Sequence, residues 1–385
     1  MVASYCATFL KPEMLHIYRQ ITSLRRVRPV VIAQKLENKE RFPFPDIHVI
    51  SKPTFHFLRR IWFKQIADRP WQISPAEVRA IERVLNETKV QLLHIYFGHI
   101  AVLLRLLIRQ WQKPSLVSFH GADVLVDMHK PAYRPATEEM LSLVKRVLVR
   151  SESLRQGVID LGCAPEKIEI QRTGIPLTDF PSRERPLPDE GQWRLLQAGR
   201  LIEKKGLKTT LRAFAKFRKE FPAARLTIAG EGPRLEELQS LAHELQIVDA
   251  VDFPGFVSQE ELRELFYSSH IFLHPSETGR DGNQEGIPNS MLEAMASGLP
   301  VFATRHGGIP EAVENSISGI LVSERDHRAL ADGLIDCAKD SARLPSMGRA
   351  ASKSVAKKFN QTEQTRRLEA IYLREIGSAA LSSRA

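Results

Sequence analysis

The chain runs to 385 residues, longer than one hydrophobic core usually organises, so two domains of ordinary size are expected. Its 43% hydrophobic and 26% charged residues exclude a disordered or fibrous chain, and three scattered cysteines exclude a disulfide framework or a cysteine-built zinc site. The net charge of +10 is uneven, with 29 Lys and Arg against 20 Asp and Glu in residues 1–190 but 26 against 25 in residues 191–385.

A basic first half points to an anionic partner. A phospholipid surface or a phosphorylated substrate fits better than nucleic acid, because no nucleic-acid module is recognisable. The opening MVASYCATFLKPE has no basic stretch leading into an apolar run, so it reads as a first strand rather than a secretory signal. Val30–Ala33, Ile47–Ile50, Leu92–Tyr96, Ser115–Phe119 and Arg146–Val149 read as further strands. The longest apolar stretch, Leu92 to Ile108, is broken by His94, Gly98, His99 and Arg105, so no spanning helix is expected. A reducing cytoplasm is the expected home.

Between these strands, Pro53 to Trp71 interleaves Phe55, Phe57, Trp62, Phe63 and Trp71 with Arg59, Arg60, Lys64 and Arg69. Such a composition suits a membrane interface. It suits equally a helix that buries its aromatics and wets its cations, and the two readings stay open.

The second half is more regular. Trp193–Ala198, Arg225–Ala229, Val251–Phe253, Ile271–His274, Val301–Thr304 and Gly319–Val322 read as strands. Helical patterns lie between most of them, at Lys208–Phe221, Arg234–Leu245, Gln259–Ser268 and Met291–Ser297. Alternation of this kind predicts an α/β fold with parallel sheets, two doubly wound Rossmann-like domains in all. The expected boundaries are 1–180 for the first domain, a Pro- and charge-rich linker at 181–191, and 192–360 for the second. A terminal helix, Gln361 to Ile376, is expected to carry residues 361–385 back to the first domain.

The stretch EGIPNSMLEAMASGLPVFAT carries the first chemistry. Its helix is predicted to begin near Pro288 and to end at Gly298, which leaves Glu285 just outside an N-terminus able to hold phosphate. Glu293 follows two turns later. One carboxylate before a phosphate site and one behind it suit the two polyol ends of a nucleotide sugar. Arg200 and Lys205, in AGRLIEKKG at the end of a strand, are placed to neutralise the diphosphate. AGEGPRLEEL offers Gly230 and Gly232 as half of a dinucleotide fingerprint, with Asp252 ending the next strand. Position 235 is Leu, however, so a tight turn is favoured over NAD binding.

Taken together, GRLIEKKG, IAGEGP, DFPGFVS, EGIPNSMLEAMASGLPVFAT and HGGIPEAV, in that order over residues 199–313, resemble the C-terminal half of a family 4 glycosyltransferase. That family comprises retaining, nucleotide-sugar-dependent enzymes of the GT-B fold, two Rossmann-like domains facing a central cleft. TGRDGNQEGIPN and LGCAPEKIEIQRTGIPLTDF look most like the bacterial exopolysaccharide branch, of colanic acid and amylovoran type.

The resemblance implies roles residue by residue. Arg200 and Lys205 would hold the donor diphosphate, the amides of Gly286, Ile287, Pro288 and Asn289 would frame the phosphate turn, and Glu293 would bind the ribose. Glu285 would contact the donor sugar, and Val257 in DFPGFVS would line the donor site. SFHGADV is similar more loosely and would bring His120 to the donor sugar, with Asp123 at the rim. Many members carry a Gly-rich loop after the first strand. This chain has SYCATFLKPEM instead, in which Glu13 matches an acidic acceptor-side position.

No Asp-x-Asp motif is present, so no metal and no cofactor beyond the nucleotide-sugar co-substrate are expected. The expected partners are a UDP- or GDP-linked sugar, a glycan or lipid-linked acceptor, and an anionic membrane surface on the cytoplasmic side. Two other classes stay open: an NAD-dependent oxidoreductase, and a sugar-nucleotide-binding protein without catalysis.

Overall fold

The computed structural model describes every residue except 12–13, 54–55, 67–68, 125–129, 281 and 383–385. Glu13 and Phe55 therefore lie outside the described residues. The chain forms two compact units, Met1–Gly174 with Gln361–Ala385, and Ile175–Asn360.

The first unit is built on seven parallel strands: β1 (Val2–Phe9), β2 (Pro29–Leu36), β3 (Ile47–Val49), β4 (Leu92–Tyr96), β5 (Ser115–Phe119), β6 (Arg146–Val149) and β7 (Ile168–Ile170), in the order β3-β2-β1-β4-β5-β6-β7. Every residue of β4 and β5 is buried, as expected for central parallel strands covered on both faces. The second unit has six: β8 (Arg194–Ala198), β9 (Arg225–Ala229), β10 (Val251–Gly255), β11 (Ile271–His274), β12 (Val301–Thr304) and β13 (Gly319–Val322), ordered β10-β9-β8-β11-β12-β13. Strand order reverses between β1 and β4, and again between β8 and β11. The crevice outside the carboxyl ends of such a pair is where doubly wound sheets take ligands.

The helix Gln361–Ser382 packs on the first unit. Leu368, Ile371 and Tyr372 fill one core cluster with Val2, Leu92, Leu116 and Leu148. Burial of side chains of this size contributes roughly 1.5–3 kcal/mol each. Glu375 accepts from Arg146 Nε at 2.7 Å, and Glu369 accepts from the backbone N–H groups of Arg25 and Arg26 at 2.6 and 2.5 Å.

Two boundaries differ from expectation. The chain passes between units at Gly174 and Ile175, and the segment 181–191 belongs to the second unit rather than bridging the two. The reason is Arg185. Its guanidinium donates to the carbonyls of Phe266 and Ser297 and to Ser297 Oγ at 2.8–3.1 Å, which pins a Pro-rich segment that composition alone marks as a spacer. Strand β7, only three residues long, carries too short an apolar run to be read from the sequence.

The segment after Pro53 forms a short helix, His56–Ile61, and one further turn, Trp62–Ile66. Neither face follows the simple aromatics-in, cations-out rule. Arg59 points inward, donating to the carbonyls of Gln72 and Ile73 at 2.8 and 3.1 Å, and stacks on Phe63 and Trp71 at 5.0 and 5.1 Å. Phe57, Leu58, Ile61, Trp62 and Ile66 point outward, between 44% and 72% exposed. Among the described residues, no helix is long and apolar enough to cross a membrane.

Candidate functional site

In the second unit, functional side chains gather at the carboxyl ends of β8 and β11. Strand β8 leads through Gly199 and Arg200 into a single turn, Glu203–Lys205, and then into the helix Leu207–Glu220. Strand β11 leads through an irregular loop to the helix Asn289–Ala296, which begins after Pro288 with no side chain capping it. Its first N–H groups are thus available to an anion. Ser290 Oγ donates to the Ala198 carbonyl at 2.7 Å and fixes this helix start against the end of β8.

Glu285 stands before that terminus. Its carboxylate lies 2.6 Å from Lys205 Nζ and 3.7 Å from Lys204 Nζ, all three side chains being 13–14% exposed. Burial alone would raise this carboxyl. Lys205 and Lys204 outweigh burial and hold it at about 2, so it is ionised throughout the physiological range. His274, fully buried at the end of β11, is held neutral at about 3, first by burial and then by Lys205. Glu293 lies one turn into the helix, 4% exposed.

The first unit has its own cluster, at the end of β5. Asp123 accepts from the backbone N–H groups of Gly98, His120 and Gly121 at 2.8–2.9 Å. Burial pushes its carboxyl up to about 6, and those three amides oppose the shift. His120 Nδ1 lies 3.1 Å from His16 Nε2, and its Nε2 lies 2.9 Å from Ser118 Oγ. Arg150 Nη2 is 3.5 Å from both ring nitrogens. Burial first, then Arg150, His16 and His94, push the His120 imidazolium far below its ordinary range, so the ring is neutral. Arg150 is 5% exposed and bonds to Gln20 Oε1 and to the carbonyls of Gln171 and Arg172. Among the described residues it has no carboxylate partner.

Residues 15–179 match the family model described as Glycosyltransferase Family 4, and residues 179–354 match that described as Glycosyl transferases group 1. The amylovoran biosynthesis glycosyltransferase AmsK of Erwinia amylovora is 33% identical over 285 residues, which cover 72% of this chain and 68% of AmsK. This chain belongs to the family 4 glycosyltransferases.

A Salmonella typhimurium protein named as a colanic acid biosynthesis glycosyltransferase, WcaL, is 35% identical over 254 residues, 66% of this chain. The match spans 62% of that relative's length. The crystal structure of HepE from Anabaena with UDP-glucose superposes with a TM-score of 0.77 at 17% identity, covering 97% of this chain and all of HepE. The two doubly wound units are those of the GT-B fold.

In the second unit, Lys205, Glu285 and the turn Gly286, Ile287, Pro288 and Asn289 meet at one place. Lys205, expected on the diphosphate, is joined directly to Glu285, expected on the sugar. Arg200 is exposed at the mouth of the same strand end, and Val257 packs against the apolar cluster beneath it. Asp123 accepts from the backbone N–H groups of His120 and Gly121, which fixes the His120 turn. Gly230 and Gly232 have a packing explanation: a Cβ on either would stand 2.0 Å from the Gly199 carbonyl oxygen or 2.6 Å from that of Leu201. The tight-turn reading accounts for both.

Several members of the two clusters are absent from the sequence reading. Lys204 hides in the KK doublet, His274 enters only as the end of a strand, and His16 and Arg150 belong to no motif. Among the described residues, no group of three His, Cys, Asp or Glu side chains could hold a metal ion.

Proposed function

We propose that this protein moves a hexose from a UDP- or GDP-linked donor to a growing, lipid-linked exopolysaccharide or surface glycan, with retention of configuration and without a metal. One observation carries the reading: an ionised carboxylate, Glu285, held by two lysines before an uncapped helix N-terminus, in a chain of this family. The polysaccharide names of AmsK and WcaL and the UDP-glucose bound by HepE support the substrate class.

The donor diphosphate would lie on the first amides of helix Asn289–Ala296, with Arg200, Lys205 and Lys204 neutralising the charge that develops as it leaves. Glu293 would grip the ribose. Glu285 would meet the sugar hydroxyls. The bond between the anomeric carbon and the diphosphate oxygen breaks, and the acceptor oxygen bonds to that carbon on the same face. The acceptor proton passes to the departing diphosphate. Closure over the donor would expel the water that otherwise hydrolyses it. The exposed side chains of Phe57, Leu58, Ile61, Trp62 and Ile66, in a basic half-chain, support work at the inner surface of an anionic membrane.

Turnover of UDP-glucose and GDP-mannose on membrane-extracted acceptor, in excess chelator, tests this proposal. Undiminished turnover and an axial-to-axial product by NMR support it. Turnover abolished by chelator and restored by magnesium, or an inverted product, overturns the corresponding part.

A further inference from the structure

His306 and Glu324 lie outside every role assigned so far, yet both act on Glu285 through its backbone. His306 follows β12, with its side chain 1% exposed. Its Nε2 lies 2.9 Å from the backbone nitrogen of Glu285, and its Nδ1 lies 2.7 Å from Glu324 Oε1. The other carboxylate oxygen of Glu324 accepts from the backbone N–H of Thr278 at 2.8 Å. The backbone N–H groups of Thr278 and Glu285 are therefore tied to one His–Glu pair. The neighbouring glycines press on the same turn: Gly308 donates to the Gly286 carbonyl at 3.0 Å, and a Cβ on Gly307, at φ 51°, would stand 2.2 Å from the Glu285 carbonyl oxygen.

Hydrogen-bond direction fixes the protonation of this pair. A backbone N–H can only donate, so His306 Nε2 must present its lone pair, and the ring proton must sit on Nδ1, where Glu324 accepts it. The carboxylate of Glu324 thereby selects the tautomer that holds the Glu285 amide. That amide sets where the Glu285 side chain meets Lys205.

We propose that His306 and Glu324 are positioning residues for the donor sugar, the carboxylate fixing the histidine tautomer that holds the Glu285 turn against Lys205. The role at the donor rests on the function proposed above; the tautomer does not. Displacing a working group by about 1 Å can cost about 100-fold in rate.

The decisive variant is Glu324→Gln, which keeps shape but replaces one oxygen by an N–H donor. Turned toward His306, that donor drives the ring proton to Nε2, against the Glu285 N–H; turned the other way, it meets the Thr278 N–H. Either way a donor faces a donor. His306→Gln retains an oxygen able to accept from Glu285, whereas His306→Ala removes the acceptor.

The experiment compares the wild type with these three variants by UDP-glucose turnover, calorimetric UDP binding, thermal midpoint, and nitrogen NMR of the histidine rings in the ligand-free protein. The wild type should show a bare Nε2 and a protonated Nδ1 at His306. Glu324→Gln and His306→Ala should lose up to about 100-fold in kcat while UDP affinity stays within about threefold, and His306→Gln should recover most of the loss. Full turnover in Glu324→Gln, a wild-type ring protonated on Nε2, or a parallel collapse of UDP affinity and thermal midpoint would each overturn the proposal. A wild type that turns over no nucleotide sugar would overturn the function above, and the ring-nitrogen pattern would then decide this inference by itself.

Discussion

At the scale of single residues, the two lysines are not equivalent. Lys205 Nζ lies 2.6 Å from the Glu285 carboxylate and Lys204 Nζ 3.7 Å, so Lys205 has the stronger Coulomb attraction to it. Lys205→Ala should therefore lower kcat/KM for the donor more than Lys204→Ala, by about tenfold or more. Glu285→Gln should cost at least about 100-fold, the order seen when one preorganised electrostatic group is lost. Steady-state kinetics on the three variants check the ranking, and equal losses for both lysines would contradict it. Glu285, Glu293 and Lys205 were legible because each sits at a fixed offset from a strand end or a helix start. His16 and Arg150 were not, because they meet His120 from 104 and 30 residues away, a distance no local spacing records.

Among elements, the helix Asn289–Ala296 and the strands around it were legible nearly to the residue. Pro288, Gly298 and the short apolar runs punctuate them, and parallel strands buried on both faces leave a simple pattern. The segment 56–66 was not. Its composition fits two opposite burials, and only the contacts of Arg59 with the Gln72 and Ile73 carbonyls decide which face is inward. The double change Phe57→Ser with Trp62→Ser should weaken co-sedimentation with phosphatidylglycerol vesicles several-fold and leave the free energy of unfolding within about 0.5 kcal/mol, as exposed substitutions do. Arg59→Ala should do the reverse, costing about 1 kcal/mol by removing the donor from two part-buried carbonyls. Vesicle binding unchanged in the double variant would remove the membrane role of this face.

For the whole molecule, buried histidines set the acid limit. Burial holds His94 and His274 neutral at about 3 and His270 at about 4, and lowers His120 as well. Each takes up a proton near pH 6.5 once unfolded, so the unfolded chain binds more protons between these values. The stabilisation is complete above about pH 6.5 and is lost as pH falls below it, each group adding up to about 1.4 kcal/mol per pH unit. The unfolding midpoint in urea should accordingly drop steeply from pH 6.5 to 5, and a flat profile would contradict the burial of these rings. The division into two units was legible from length and alternation. The crossing point at Gly174 was not, because the anchoring of segment 181–191 by Arg185 is a tertiary contact hidden in a spacer-like composition.

Binding of a nucleotide sugar by the second unit can be read from ligand-induced thermal shift. UDP-glucose, GDP-mannose, ADP-glucose and NAD would be compared on the wild type and on Glu293→Gln. A ligand at about 100 times its dissociation constant stabilises by roughly 2.7 kcal/mol, a shift of a few degrees. One nucleotide sugar should shift the wild type and lose most of its shift in the variant. A shift with NAD alone, or an equal shift in the variant, would contradict the account.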